Sequence, residues 1–242
     1  MCAETDDDGR FKRLSVPEML DAPRLEVLTR DIRSANTDEQ VRVLELRGAP
    51  GVFCRGMDLS AAVAREGGLA AMARCLHALR GSGKVTLAVV DGQALGGGLG
   101  LAAACDYVLA TERATFGLPE LLLGLVPATI FPVLLERMPP QRVRRLALLG
   151  HAHKAAEASA LGLVDEVIAS DPESFERTVQ RILRRLSRVD VSAVALLRGL
   201  PTRDDADMAI DRGAALTDAL LATPGVQAKL RNALTSDEAT WL

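Results

Sequence analysis

The chain has 242 residues, 48% hydrophobic and 25% charged, with a net charge of −3. This is the composition of a globular protein with room for a sizeable core and one or two domains. The mild acidity and the 3% aromatic content argue against nucleic-acid binding, which uses basic patches and stacking rings.

The opening, Met1-Cys2-Ala3-Glu4-Thr5-Asp6-Asp7-Asp8, is acidic and lacks the apolar centre of a signal peptide. Residues 1–15 read as disordered or loosely strand-like. Residues 23–36 place Leu25, Leu28 and Ile32 on one helical face, and Pro23 suits a first turn. Residues 41–46 alternate as a strand does, residues 48–59 read as a loop, and residues 69–79 resume helical spacing at Leu69, Met72, Leu76 and Leu79. Residues 85–90, an apolar β-branched run, predict a buried strand. They end at Asp91-Gly92, before a glycine-rich turn and a buried helix over residues 101–105. Asp91, Asp106 and the glycines interrupt this most apolar window, which excludes a membrane span. Residues 107–110 predict another strand.

Strands alternating with helices predict a parallel, helix-covered sheet and an α/β class. Beyond Glu120 the pattern turns helical, over residues 133–138, 142–149, 155–161, 175–186, 191–199, 205–221 and 225–234, with a last short strand in 163–168. The composition breaks at Ser170-Asp171-Pro172, which divides residues 1–170 from a helical region, 171–242. Cys2, Cys54, Cys75 and Cys105 lack metal-ligand spacing and read as free thiols in a reducing cytoplasm.

Two loops carry the candidate chemistry. One is Phe53-Cys54-Arg55-Gly56-Met57-Asp58-Leu59, the other Ala94-Leu95-Gly96-Gly97-Gly98-Leu99-Gly100. Each puts small residues where a strand hands over to a helix. Glycine lets backbone approach a ligand closely, and a helix start offers unpartnered N–H groups. If adjacent strands bring the loops together, two N–H groups converge on one oxygen, an arrangement worth roughly 3–4 kcal/mol per donor to an oxyanion. The alternative is tight packing alone. A dinucleotide site is disfavoured, because the run has no third glycine at the GxGxxG spacing and Glu120 follows a proline rather than a strand. Glu120 lies among few polar side chains, where a carboxylate is either paired or functional.

The two loops, with Phe116-Gly117-Leu118-Pro119-Glu120-Leu121-Leu122-Leu123-Gly124-Leu125-Val126-Pro127, resemble the crotonase (enoyl-CoA hydratase/isomerase) superfamily. Ala158 and Leu161-Gly162-Leu163-Val164-Asp165 match its usual continuation, and the likeness spans residues 24–168. The resemblance implies a spiral of β-β-α units with a helical C-terminal trimerisation region, in a homotrimer or hexamer. It implies oxyanion N–H groups at Met57 and Gly97, substrate contacts at Gly56, Gly96, Gly98 and Thr129, and Glu120 as the proton carrier. Many hydratases of the family use two glutamates; the first falls here at Gly100 and is missing. The region before residue 24 is shorter than the family's opening strands, so part of the usual thioester-cleft wall is expected to be absent or rebuilt.

The implied reaction is dehydration of a 3-hydroxyacyl thioester carried on CoA or on the phosphopantetheine of an acyl carrier protein, with no metal and no redox cofactor. Met57-Asp58-Leu59 after Phe53-Cys54, Pro127-Ala128 before Phe131-Pro132, and a tail ending near Trp241 further resemble the dehydratases of polyketide β-branching cassettes, which act on a 3-hydroxy-3-methylglutaryl group. The rivals are an isomerase or decarboxylase on the same fold, and a catalytically weak thioester-binding subunit.

Other polar residues read as structural: Asp58 as a helix cap, Asp106 as a hydrogen-bond acceptor, His77 at a helix edge, and His151 with His153 as a pair without further metal ligands. Arg137, Arg142, Arg144 and Arg145 either dock an acidic carrier or form a solvated face. Ser82 and the histidines carry no local signature of a catalytic triad.

Overall fold

The computed structural model describes residues 4–5, 9–64, 67–198 and 206–235; Cys2 and the tail near Trp241 lie outside them. Strands β1 (Glu4–Thr5) and β2 (Phe11–Ser15) precede α1 (Ala22–Thr37). Strand–strand–helix units follow. The first is β3 (Val43–Arg47), β4 (Val52–Cys54), α2 (Leu59–Ala64) and α3 (Gly68–Arg80). The second is β5 (Val85–Val90), β6 (Gln93–Leu95) and α4 (Gly97–Ala103). The third is β7 (Tyr107–Thr111), β8 (Thr115–Gly117) and a 3-10 helix (Pro119–Leu123), leading to α5 (Phe131–Arg137) and α6 (Pro140–Leu149). Then come β9 (His153–Lys154), α7 (Ala155–Leu161), β10 (Glu166–Ile168), α8 (Pro172–Leu186), α9 (Val191–Arg198), α10 (Ala206–Leu221) and α11 (Pro224–Thr235).

In each unit the first strand enters a six-stranded sheet, ordered β1-β2-β3-β5-β7-β10, and the second enters a four-stranded sheet, β4-β6-β8-β9. The chain thus winds through both sheets in turn, as the expected spiral of β-β-α units requires. The expectation of one parallel sheet is corrected to two. Strand β4 lies within residues read as a loop, because three residues between Gly51 and Arg55 are too few to show a period. Residues 11–15, read as disordered or loosely strand-like, form β2 and pair in parallel with β3.

The larger sheet is buried on both faces, which explains why β5 is apolar at every position but Thr86, whose hydroxyl is paired with Asp106. Ala88 and Val90 join the main cluster with Leu44, Leu46, Val108 and Ala110. Val85, Leu87 and Val89 face the other way and pack with Val179, Ile182 and Leu183 of α8. The stripe on α8 therefore finds its partner in strands far earlier in the chain. Asp171 caps this helix, accepting from Ser174 N–H at 2.9 Å, as Asp21 caps α1 by accepting from Arg24 N–H at 2.8 Å.

The last helices fold back over the units. Leu221 of α10 and Val226 and Leu230 of α11 cluster with Leu123 and Leu125 beside the 3-10 helix. Gly213 of α10 lies against residues 128–129, where an added Cβ would fall 2.1 Å from Ala128 O. Gly213→Ala is expected to cost about 1–3 kcal/mol of stability, as overpacking does, measured as a lowered urea midpoint. Gly225→Ala, with no atom within 4 Å of the new Cβ, should leave that midpoint unchanged or slightly raised.

Candidate active site

β4 and β6 are parallel neighbours, so the turns that follow them stand side by side at the starts of α2 and α4. Gly56 takes φ +89°, and a Cβ there would lie 2.9 Å from Leu95 O and 3.4 Å from Gly97 N. Gly96 takes φ +50°, and its Cβ would lie 2.9 Å from Glu120 Oε1. Both positions need the left-handed backbone that glycine tolerates. A side chain at either would also fill the space between the turns and the carboxylate.

The hydrogen bonds of these turns leave specific donors over. Residues 18–20 bind the first turn through Arg55 N–H to Glu18 O (2.7 Å), Leu20 N–H to Gly56 O (2.8 Å) and Asp58 N–H to Leu20 O (2.7 Å). This ladder passes over Met57 N–H. In the second turn Gly96 N–H binds Gly117 O at 2.9 Å, and the first bond within α4 is Gly100 N–H to Gly96 O at 3.0 Å. Gly97 N–H precedes it, at the positive end of the helix.

Glu120 stands in the first turn of the 3-10 helix, with Leu125 N–H donating to its carbonyl at 3.0 Å. Its Oε2 is buried and has no hydrogen-bond partner among the described residues. Burial pushes the carboxyl up from 4.5 to about 7, against a smaller opposing contribution from its own backbone N–H. Thr129 is 4% exposed, and its Oγ1 is a second buried atom without a partner among the described residues.

Both orphans line one cavity of about 300 Å³. Gly56, Met57, Gly96, Gly97 and Arg55 also line it, among apolar side chains that include Leu59, Leu69, Met72 and Ile130. Gly98 is not in this wall: its Cβ would meet Cys54 O at 2.4 Å, so it packs α4 against β4. A larger groove of about 1400 Å³ runs between α4, α5 and α10, and none of the expected site residues lines it.

The position of the missing glutamate is closed. A Cβ on Gly100 would lie 2.3 Å from Ile130 Cγ2, so even a methyl group needs Ile130 to move. Sequence reasoning missed the wall formed by Thr217, Asp218 and Leu221 of α10, and by Met19 and Ala22 before and at the start of α1. The α10 residues carry only a helical stripe, and nothing in that stripe indicates which site it covers. Met19 and Ala22 supply cleft wall from the short region before residue 24.

The remaining candidates fall out as structural. Asp58 caps α2, accepting from Ser60 N–H at 2.8 Å and Ala61 N–H at 3.4 Å. Asp106 accepts from Thr86 N–H at 2.7 Å and pairs with Arg198. His77 lies 2.8 Å from Asp211 of α10. His153 packs at a tilt against His151 and sits 3.3 Å from Glu157, and no cluster among the described residues could hold a metal. Ser82 donates to Asn36 at 2.6 Å. Arg137 binds Ala103 O and Asp165, both at 2.9 Å, and Arg142 binds Ala160 O at 2.9 Å; Arg142, Arg144 and Arg145 are all exposed. Cys54, Cys75 and Cys105 are buried free thiols, each pushed up to about 12 by burial, so none is a ready nucleophile. No helix among the described residues is long and apolar enough to cross a membrane.

Two sheets wound by one β-β-α spiral, with paired glycine turns facing a buried carboxyl, define a crotonase-like protein. Residues 12–236 match the enoyl-CoA hydratase/isomerase family, and the chain belongs to that family as a hydratase-like enzyme. It is 32% identical over 190 residues to a carnitinyl-CoA dehydratase of Salmonella arizonae, covering 74% of this chain and 70% of that one. It is also 32% identical over 184 residues to the bacillaene synthase dehydratase PksH of Bacillus subtilis, covering 73% and 70%. The fold matches the crystal structure of the latter organism's putative polyketide biosynthesis enoyl-CoA hydratase, with a TM-score of 0.86, 23% identity and 97% and 96% of the two chains covered. An enoyl-CoA hydratase from Bacillus halodurans matches at a TM-score of 0.85, with 23% identity, covering 96% and 98%.

The raised carboxyl has a consequence for stability. Between pH 4.5 and about 7 the folded protein holds a proton that the unfolded chain has released, so this group's contribution to stability falls as pH rises. Glu120→Gln removes the effect. Thermal unfolding is expected to show the variant gaining on the wild type from about pH 5 to about pH 8, by at most about 3 kcal/mol. Identical pH dependence in the two proteins would contradict the assignment.

Proposed function

We propose that this protein dehydrates a 3-hydroxyacyl thioester with a single carboxylate. The observation that carries the reading is the buried Glu120 carboxyl beside the Gly96–Gly97 turn, whose Oε2 has no partner among the described residues, with Ile130 packed against Gly100. The Met57 and Gly97 N–H groups hold the thioester oxygen. Ionised Glu120 takes the α-proton, and the electrons of the C–H bond move into an enolate at that oxygen. The enolate collapses to the α,β double bond and expels the β-hydroxyl, which receives the proton from Glu120 and leaves as water. The carboxylate is restored, and no external oxidant or reductant enters.

The substrate we favour is a 3-hydroxy-3-methylglutaryl group on an acyl carrier protein or CoA. Support comes from two relatives named as dehydratases, one of them part of bacillaene synthase. The name of the other joins dehydration to a CoA thioester. Burial of Glu120 speaks for proton transfer at the α-carbon, since decarboxylation needs an oxyanion site but no base there.

The test is to incubate the protein with 3-hydroxy-3-methylglutaryl thioesters on both carriers, and with 3-hydroxybutyryl-CoA, and weigh the products. Loss of water is expected, with Glu120→Gln lowering kcat/KM by about 10²–10⁴-fold. Because the ionised form is the base, kcat/KM should rise with pH and level off above about 7. Loss of carbon dioxide from a 3-methylglutaconyl thioester, undiminished in Glu120→Gln, would instead mark a decarboxylase. Silence with every thioester would mark a binding subunit.

A further inference from the structure

Resting on the dehydratase reading, we infer that Thr129 is the residue that binds the departing β-hydroxyl of the substrate. Buried polar side chains in native proteins are almost always hydrogen-bonded. Among the described residues the cavity holds two polar atoms without a partner, Glu120 Oε2 and Thr129 Oγ1. Glu120 is accounted for by the α-proton. Thr129 Oγ1 remains, fully enclosed, in a wall that is otherwise mostly apolar.

The other polar side chains around the cavity are already engaged. Thr217 Oγ1 donates to Gly213 O at 2.9 Å and lies 3.2 Å from Val126 O. Arg55 donates from Nε to Gln93 at 3.0 Å and pairs with Glu18 at 3.2 Å. Asp218 has an interaction within the chain. A 3-hydroxyacyl group brought into this cavity places one hydroxyl among carbon atoms, and leaving it unpaired would weaken binding. Thr129 can both donate to and accept from that oxygen.

The chain holds Thr129 firmly. Ala128, the residue before it, packs backbone to backbone on Gly213 of α10, and Ile130, the residue after it, seats its side chain on Gly100. The two missing side chains, at Gly213 and Gly100, are what let residues 128–130 approach this closely. Position 100 carries no carboxylate, and the same packing fixes a neutral hydroxyl in the cavity. A neutral group there suits a one-carboxylate site: a second carboxylate beside Glu120 would raise its pKa further and keep it protonated. Thr129 does not transfer the proton. It holds the β-oxygen where Glu120 delivers it, so the proton that leaves the α-carbon is the one that completes the water.

The test compares wild type with Thr129→Val, which keeps the shape, and Thr129→Ser, which keeps the hydroxyl. Dehydration of 3-hydroxybutyryl-CoA is measured beside the affinity for butyryl-CoA, which lacks the β-hydroxyl. Thr129→Val is expected to lower kcat about 10- to 100-fold, leave butyryl-CoA affinity within about twofold, and keep the midpoint of the pH profile. Thr129→Ser should recover kcat to within about threefold of wild type. A parallel loss of butyryl-CoA affinity, a displaced pH midpoint, or no loss of kcat would each overturn the assignment. A wild type that binds butyryl-CoA and releases no water from 3-hydroxybutyryl-CoA or from the 3-hydroxy-3-methylglutaryl thioesters overturns the dehydratase reading itself, which separates the two failures.

Discussion

The constraint on which the rest depends is a carboxyl group placed in apolar surroundings, with one oxygen unpaired among the described residues. Removing such a group from water without a partner is costly, and the protein answers by lifting its pKa to about 7. At that value the group is neither a permanent charge nor a permanent acid. It can accept a proton and return it within one turnover at neutral pH, which a carboxylate near 4.5 does poorly as an acid. A fold that keeps Glu120 in this state gives up stability when the group ionises, and such costs collect at working sites.

Each layer of the structure serves that placement. Parallel pairing of β4 with β6 sets two helix starts side by side, and β8, next in the same sheet, leads straight into the 3-10 helix that carries Glu120. Order within the four-stranded sheet therefore converts three separate stretches of sequence into one site. Gly96 removes the side chain that would collide with the carboxylate, and Gly56 removes the one that would part the two turns. The C-terminal helices then close the cavity: α10 contributes Thr217, Asp218 and Leu221 to its wall. The helical region is thus part of the site as well as of the scaffold.

Much of this was legible in the sequence, and the limits have physical causes. Residues 85–90 and 175–186 declared themselves because a continuous buried run and a clear amphipathic stripe leave few alternatives. The glycine turns and Glu120 were visible because glycine clusters and a lone acid among leucines are unusual for their surroundings. Strands β4, β6 and β8 were not, since three residues carry no period and their pairing comes from neighbours distant in the chain. Gly98 looked equivalent to Gly96 and Gly97, yet only packing reveals that it faces Cys54. The closure of position 100 by Ile130 and the reach of α10 into the cavity are long-range contacts, and no local pattern encodes them. Arg137 looked like part of a basic face, and its role in tying α5 to Ala103 O and Asp165 appears only in three dimensions.

The most direct measurement of the account is the titration of Glu120 itself, followed by ¹³C NMR of protein labelled at the glutamate side-chain carboxyl carbons and assigned by comparison with Glu120→Gln. The account predicts one resonance, absent from the variant, with a midpoint near 7 that moves when an acyl thioester fills the cavity. A midpoint near 4.5, indifferent to the thioester, would mean that Glu120 is solvated and ionised throughout, and the single-carboxylate site would not stand.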